Sequence, residues 1–196
     1  MFTRLFRSLL LACVLAATGA AAAVPALTSA AAAPLELTVE RIAGADGSAL
    51  YQIASSGTVA ASPATVWRVL TDYNRMADYV PDLKSARVVA RDGDKVILEQ
   101  HGAARMLFFS RDIHLIVEVH EQAPHRIDVS LIDGDMKVYR CSWEISAVAA
   151  TGGSRILYNA SIEPKFYVPG LVGTSMVRKD IAKMMTAVLL HLDRAQ

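Results

Sequence analysis

The amino-acid sequence predicts an α+β domain: a curved antiparallel β-sheet around a long C-terminal α-helix, with two short helices near its start. Three observations carry this expectation. Ser62-Pro63 gives a helix-start signal early in the chain. Between Leu83 and Glu163, short apolar runs alternate with Gly-, Asp- and Pro-containing turns, and connections this short require antiparallel neighbours. From about Leu171 to Arg194, apolar residues recur at helical spacing.

Each element has its own signal. Leu35, Leu37 and Val39 alternate with Glu36, Thr38 and Glu40, the pattern of a half-buried strand. A turn at Gly44-Ala45-Asp46-Gly47 leads into a second strand, Ala49 to Ala61, in a hairpin with the first. Ser62 is placed as N-cap and Pro63 at the first helical position, where no N–H is missed. Val66, Trp67, Val69, Leu70 and Tyr73 then share one face, and a second short helix runs to Tyr79, ended by Pro81.

Strands follow at Ala86–Arg91, Val96–Met106 and Phe108–Glu121. The last carries Ile113, Leu115, Val117 and Val119 on one side and His114, Glu118 and His120 on the other. Turns at Pro124-His125, Asp133-Gly134-Asp135 and Gly152-Gly153 separate Ile127–Leu131, Met136–Val148 and Arg155–Glu163. On the closing helix Val177, Ile181, Met184, Met185, Val188 and Leu192 form the inner stripe, with Arg178, Lys179, Asp180 and Lys183 opposite.

The first residues read as a secretory leader. Arg4 and Arg7 precede the apolar run Leu9 to Ala17, and Gly19 and a string of alanines follow. Cleavage is expected between about Ala23 and Ala33, leaving residues 34–196 as one domain exported to the periplasm or the exterior. The rival is an uncleaved anchor, because no charge interrupts Ser8 to Leu35. Without Arg4 and Arg7, eighteen basic residues face nineteen acidic ones, a formal charge of −1. No basic run remains, which argues against a nucleic-acid partner held through phosphates.

Few residues offer chemistry. Cys13 leaves with the leader, so Cys141 is without an intrachain partner and reads as a small buried hydrophobe. His114 and His120 share a strand side but lie about 20 Å apart at strand rise, and no Cys or His pair has zinc-ligand spacing. Turn chemistry accounts for the carboxylates flanking Gly93 and Gly134. Asn159-Ala160-Ser161 matches a glycosylation acceptor inside an expected strand. Nothing here calls for a metal or a cofactor, and no catalytic residue stands out.

The run Ala61-Ser62-Pro63-Ala64-Thr65-Val66-Trp67-Arg68-Val69-Leu70-Thr71-Asp72-Tyr73, followed by Tyr79-Val80-Pro81 and Leu83, resembles the START-like superfamily. The nearest branch by this motif is the coenzyme Q-binding and polyketide-cyclase type. Trp143-Glu144-Ile145, Tyr158, Pro164, Phe166 and Pro169-Gly170 are similar to the same branch, so the resemblance spans about Val59 to Leu192. It implies the helix-grip fold and a hydrophobic ligand (quinone, lipid or polyketide-like) held between sheet and C-terminal helix. It also implies transient membrane contact for ligand exchange. The alternative it implies is a cyclase or dehydratase, since one scaffold hosts both.

On this reading the aromatic candidates for ligand contact are Trp67, Tyr79, Phe109, Tyr139, Trp143, Tyr158 and Phe166, which combine apolar area with polar edges. Leu115 and Val117 share their strand's apolar side, and Arg111 has the matching parity to reach a polar ligand group. Val177, Ile181, Met184 and Met185 come from the closing helix, the methionines being adaptable surfaces for apolar guests. For the aromatics and methionines, plain core packing is the competing role.

Overall fold

A computed structural model describes residues 35–105 and 110–195. The segment read as a leader and the candidate Phe109 lie outside the described residues. The elements are β1 (Glu36–Ala43), β2 (Ala49–Val59), α1 (Pro63–Leu70), a 3-10 helix (Tyr73–Asp78), β3 (Leu83–Asp92), β4 (Lys95–Arg105), β5 (Ser110–Gln122), β6 (Arg126–Gly134), β7 (Met136–Val148), β8 (Gly153–Pro164) and α2 (Gly170–Arg194).

Local chemistry sets the start of α1 as expected. Ser62 Oγ accepts from the Thr65 N–H at 3.3 Å, while the Ser62 carbonyl accepts the first helical bond from Val66 at 2.9 Å. Thr71 ends the helix by donating both its N–H and its hydroxyl to the Trp67 carbonyl. The second short helix expected from the sequence is a 3-10 helix. It is six residues long and has no side-chain cap, and so short a piece has little to gain from the α-helical bond pattern.

All eight strands form one antiparallel sheet in the order β1-β2-β8-β7-β6-β5-β4-β3. After β2 the chain crosses through α1 and the 3-10 helix to the far edge. It then returns by successive hairpins until β8 pairs with β2, from Tyr51 opposite Ile162 to Val59 opposite Ser154. The register slips between Ile116 and Val117, against β6 near Gly134. A Cβ on Gly134 would lie 2.2 Å from the His114 carbonyl oxygen, and its φ of +132° favours glycine.

Helix α2 lies across the inner face of this sheet. Ile181 and Met185 pack with Tyr51, Ile53, Tyr158 and Ala160, whereas Val188 and Leu192 join the larger core of Val66, Leu98, Val117 and Ile156. Two glycines permit the close approach. A Cβ on Gly57 would meet Leu189 Cδ1 at 2.5 Å, and one on Gly173 would meet the Tyr51 hydroxyl at 2.3 Å. The polar side of α2 also engages the fold. Arg178 donates to the Leu37 carbonyl at 3.0 Å, and Lys183 pairs with Asp82 at 2.9 Å. Among the described residues no helix is long and apolar enough to cross a membrane.

Candidate functional site: an apolar cavity under the closing helix

Between the sheet and α2 lies a cavity of about 130 Å³. Inward-facing residues of four adjacent strands form its floor: Leu98 and Gln100 on β4, Val117 and Val119 on β5, Ile127 and Val129 on β6, and Tyr139, Cys141 and Trp143 on β7. Tyr158 of β8 closes one wall. Met184 and Val188 of α2 roof it, and Leu70, Tyr73, Met76, Tyr79, Val80 and Leu83 close the side from α1, the 3-10 helix and the start of β3. Strand alternation explains the floor, because every second residue of each strand reaches the concave face.

The polar groups of the lining fall into two sets. The Tyr73 hydroxyl donates to Glu121 Oε1 at 2.8 Å, and the Tyr79 hydroxyl donates to the Val69 carbonyl at 3.3 Å. Both hydroxyls are therefore engaged by the fold. Arg91 holds Glu121 with two bonds of 2.9 Å; although burial alone would raise that carboxyl, the bonds from Arg91 and Tyr73 keep it below its ordinary value. Burial, helped by the charges of Asp72 and Asp78, pushes the Tyr79 phenol up to about 12.

The second set lies inside. Tyr139 and Tyr158 hydrogen-bond with the Cys141 thiol, and burial outweighs those bonds to push the thiol up to about 12. Burial likewise drives both phenols far above their ordinary value. Trp143 packs on Tyr158 with ring centroids 4.6 Å apart and tilted by 51°. With the Gln100 amide, this makes an apolar interior studded with groups that stay neutral at physiological pH. Such groups donate to or accept from a carbonyl or hydroxyl. No Asp, Glu, His, Lys or Arg lines the cavity among the described residues.

The structure brings six of the sequence-derived candidates to this cavity: Tyr79, Val117, Tyr139, Trp143, Tyr158 and Met184. Leu115 packs within the larger core beside it. Val177, Ile181 and Met185 face the smaller core over β1, β2 and β8 instead. Trp67 packs against the larger core from α1, away from the cavity. Arg111 has the expected parity but sits at the exposed start of β5. There it lies over the Phe166 ring at 4.8 Å and faces Asp135 at 3.9 Å, so neither Arg111 nor Phe166 reaches the hollow. Leu98, Gln100, Ile127 and Val129 were not singled out from the sequence, although alternation on β4 and β6 was the available signal.

A roomier hollow of about 670 Å³ lies on the opposite face of the sheet. It is an open trough edged by Arg126, Arg140, Glu118 and Asp128. Charged and solvated walls suit an apolar guest poorly.

A curved sheet closed by a C-terminal helix over an apolar hollow defines a START-type helix-grip domain. Residues 59–189 match the model of the polyketide cyclase / dehydrase and lipid transport family, and the chain belongs to that family. Among solved structures, it is similar to a START superfamily protein from Mycobacterium smegmatis, at 17% identity and a TM-score of 0.64, covering 74% of this chain and 99% of that one. An aromatase/cyclase from a Streptomyces superposes at 14% identity and a TM-score of 0.63, over 74% of this chain and 94% of its own. A STAR-related lipid transfer protein from Xanthomonas axonopodis gives 14% identity and a TM-score of 0.60, over 79% and 98% of the two chains. No curated protein sequence matches the chain.

Proposed function

We propose that this protein is exported and that it binds and carries a hydrophobic small molecule (an isoprenoid quinone, a lipid or a polyketide-like aromatic) between sheet and closing helix. The observation that carries the reading is the cavity lining, which combines apolar walls with the neutral polar trio Tyr139, Cys141 and Tyr158. Burial of apolar surface drives the binding, and one or two hydrogen bonds orient the guest. At about 130 Å³ the cavity is smaller than the ~300–1,000 Å³ of drug-sized ligand sites. Loading therefore requires the unbranched side chains of Met76 and Met184 to swing aside, or the 3-10 helix and α2 to part. Methionine suits that role.

The lipid transfer neighbour supports this direction, and the aromatase/cyclase neighbour supports a second reading, an enzyme acting on a polyketide-like substrate. Catalysis of that kind calls for a positioned acid or base whose pKa lies near the working pH. The phenols and thiol of this interior are all pushed the wrong way for a base. Carriage fits the lining better.

Solvent extraction of the purified protein, read by mass spectrometry, is expected to release an apolar compound. Met184→Asp is expected to lose it, because a carboxylate there faces desolvation of several kcal/mol or must protonate. Lys179→Asp, on the exposed side of α2, is the control. Lys183, on the same side, is unsuitable because it pairs with Asp82. Wild-type protein that releases nothing and takes up neither isoprenoids nor fatty acids would refute the carrier. Export is tested separately: N-terminal sequencing of the secreted chain is expected to begin between Val24 and Pro34, whereas a chain starting at Met1 in the membrane fraction would mark an anchor.

A further inference from the structure

On the outer face of the sheet, turned away from the cavity, β4 and β5 bring together three groups that the sequence keeps apart. His101 and His114 stand directly opposite each other in the ladder, and Glu99 lies two residues before His101 on the same face. The imidazole rings stack with centroids 4.5 Å apart and planes inclined by 19°. Glu99 Oε1 lies 3.2 Å from His114 Nε2 and 3.7 Å from His101 Nε2. One donor atom from each residue falls within 4.8 Å of the other two.

Those separations are close to what a shared ion demands. Zinc bonds of about 2.0–2.2 Å to nitrogen and oxygen place tetrahedral ligand atoms about 3.4 Å apart. The two imidazoles are 50% and 40% exposed and the Glu99 side chain 24%, so rotation about their side-chain bonds would be needed to draw the donors into that range. The frame behind them is fixed. Arg87 holds the other Glu99 oxygen at 2.6 Å, leaving Oε1 turned toward the histidines. Asp135 accepts from the His114 backbone N–H at 2.8 Å, anchoring that strand position. Beside the histidines, a hollow of about 180 Å³ between Lys84, Asp112 and Asp135 leaves room for water or an added ligand.

We propose that Glu99, His101 and His114 form a binding site for a borderline divalent transition-metal ion, of the class of Zn²⁺, Cu²⁺ or Ni²⁺. Two imidazoles with one carboxylate select these ions over Mg²⁺ or Ca²⁺, which prefer oxygen-only shells. Three protein ligands leave a coordination position open on the solvent side. The site is independent of the cavity, which lies on the other face of the same strands.

The test is titration of tag-free protein with ZnCl₂ by calorimetry and with CoCl₂ by visible absorbance, in a non-chelating buffer. The expected result is saturable one-to-one binding in the micromolar range, with visible bands of low-symmetry Co²⁺. His101→Ala and His114→Ala are each expected to weaken binding by about tenfold or more, and Glu99→Gln to weaken it less. His120→Ala and His125→Ala should leave it unchanged. Circular dichroism confirms that each variant folds. Absence of saturable binding by the wild-type protein overturns the proposal. So does binding that survives in the His101→Ala/His114→Ala double variant.

Discussion

Cys141 shows how one buried group reports on the whole interior. Its thiol is pushed from an ordinary value of 9.0 up to about 12 by burial, with the bonds from Tyr139 and Tyr158 pulling the other way. A group whose pKa is raised on folding contributes stability that is complete below its unfolded value and is lost as pH rises through the window up to its folded value. For Cys141 that window runs from about 9 to about 12; Tyr139 and Tyr158 act in the same sense from about 10 upward. Unfolding free energy is therefore expected to hold steady to about pH 9 and then to fall, by up to about 1.4 kcal/mol per group for each pH unit. Denaturant titrations across this range should show Cys141→Ala beginning its decline about one unit later. An identical onset in the variant would mean that the thiol is not the first group to matter. At this scale the sequence was legible where strand parity sufficed, as for Tyr139, Trp143 and Tyr158. Parity gives the face but not the depth along the strand, which is why Arg111 pointed correctly yet lies beyond the hollow. Gln100 is the opposite case: a polar residue at an inward position carries no hydrophobic signal. The Glu99/His101/His114 cluster was invisible because its members meet only through the β4–β5 register.

At the scale of elements, hydrophobic period and turn chemistry were enough to place all eight strands and both α-helices in order. The pairing of β2 with β8 was not legible. It joins strands nearly a hundred residues apart, and nothing local specifies such a partner. The same long-range closure makes α2 indispensable. Ile181, Met185, Val188 and Leu192 are buried against both cores. Burying each such side chain is worth about 1.5–3 kcal/mol, so together they approach the ~5–15 kcal/mol by which a whole domain is stable. A chain ending at Val168 is expected to lose cooperative thermal unfolding and to aggregate through the bared concave face. A soluble, monomeric truncation with a sharp unfolding transition would show that the sheet does not depend on the helix it grips.

For the molecule as a whole, a small cavity beneath a helix that also holds the core together would couple loading to stability. Opening would displace Met76, Met184 and the 3-10 helix, while Ile181 and Met185 pack on an adjoining cluster over β1, β2 and β8 that shares Cys141 and Tyr158 with the hollow. The same two turns of α2 thus serve both roles, with Met184 and Val188 on the hollow and Ile181 and Met185 on the neighbouring cluster. A guest that fills the hollow binds only the folded state, so it raises stability by RT ln(1 + [L]/Kd), about 2.7 kcal/mol at a hundredfold excess over Kd. Protein stripped by organic solvent and refolded is expected to melt several degrees below protein as purified, and addition of the extracted compound should restore the difference. In Met184→Asp the same addition should produce no shift, because the guest meets a carboxylate in the roof of the hollow. If stripped and unstripped protein melt together, and no isoprenoid, fatty acid or aromatic polyketide raises the midpoint, the hollow is a packing defect of the core and carriage is excluded.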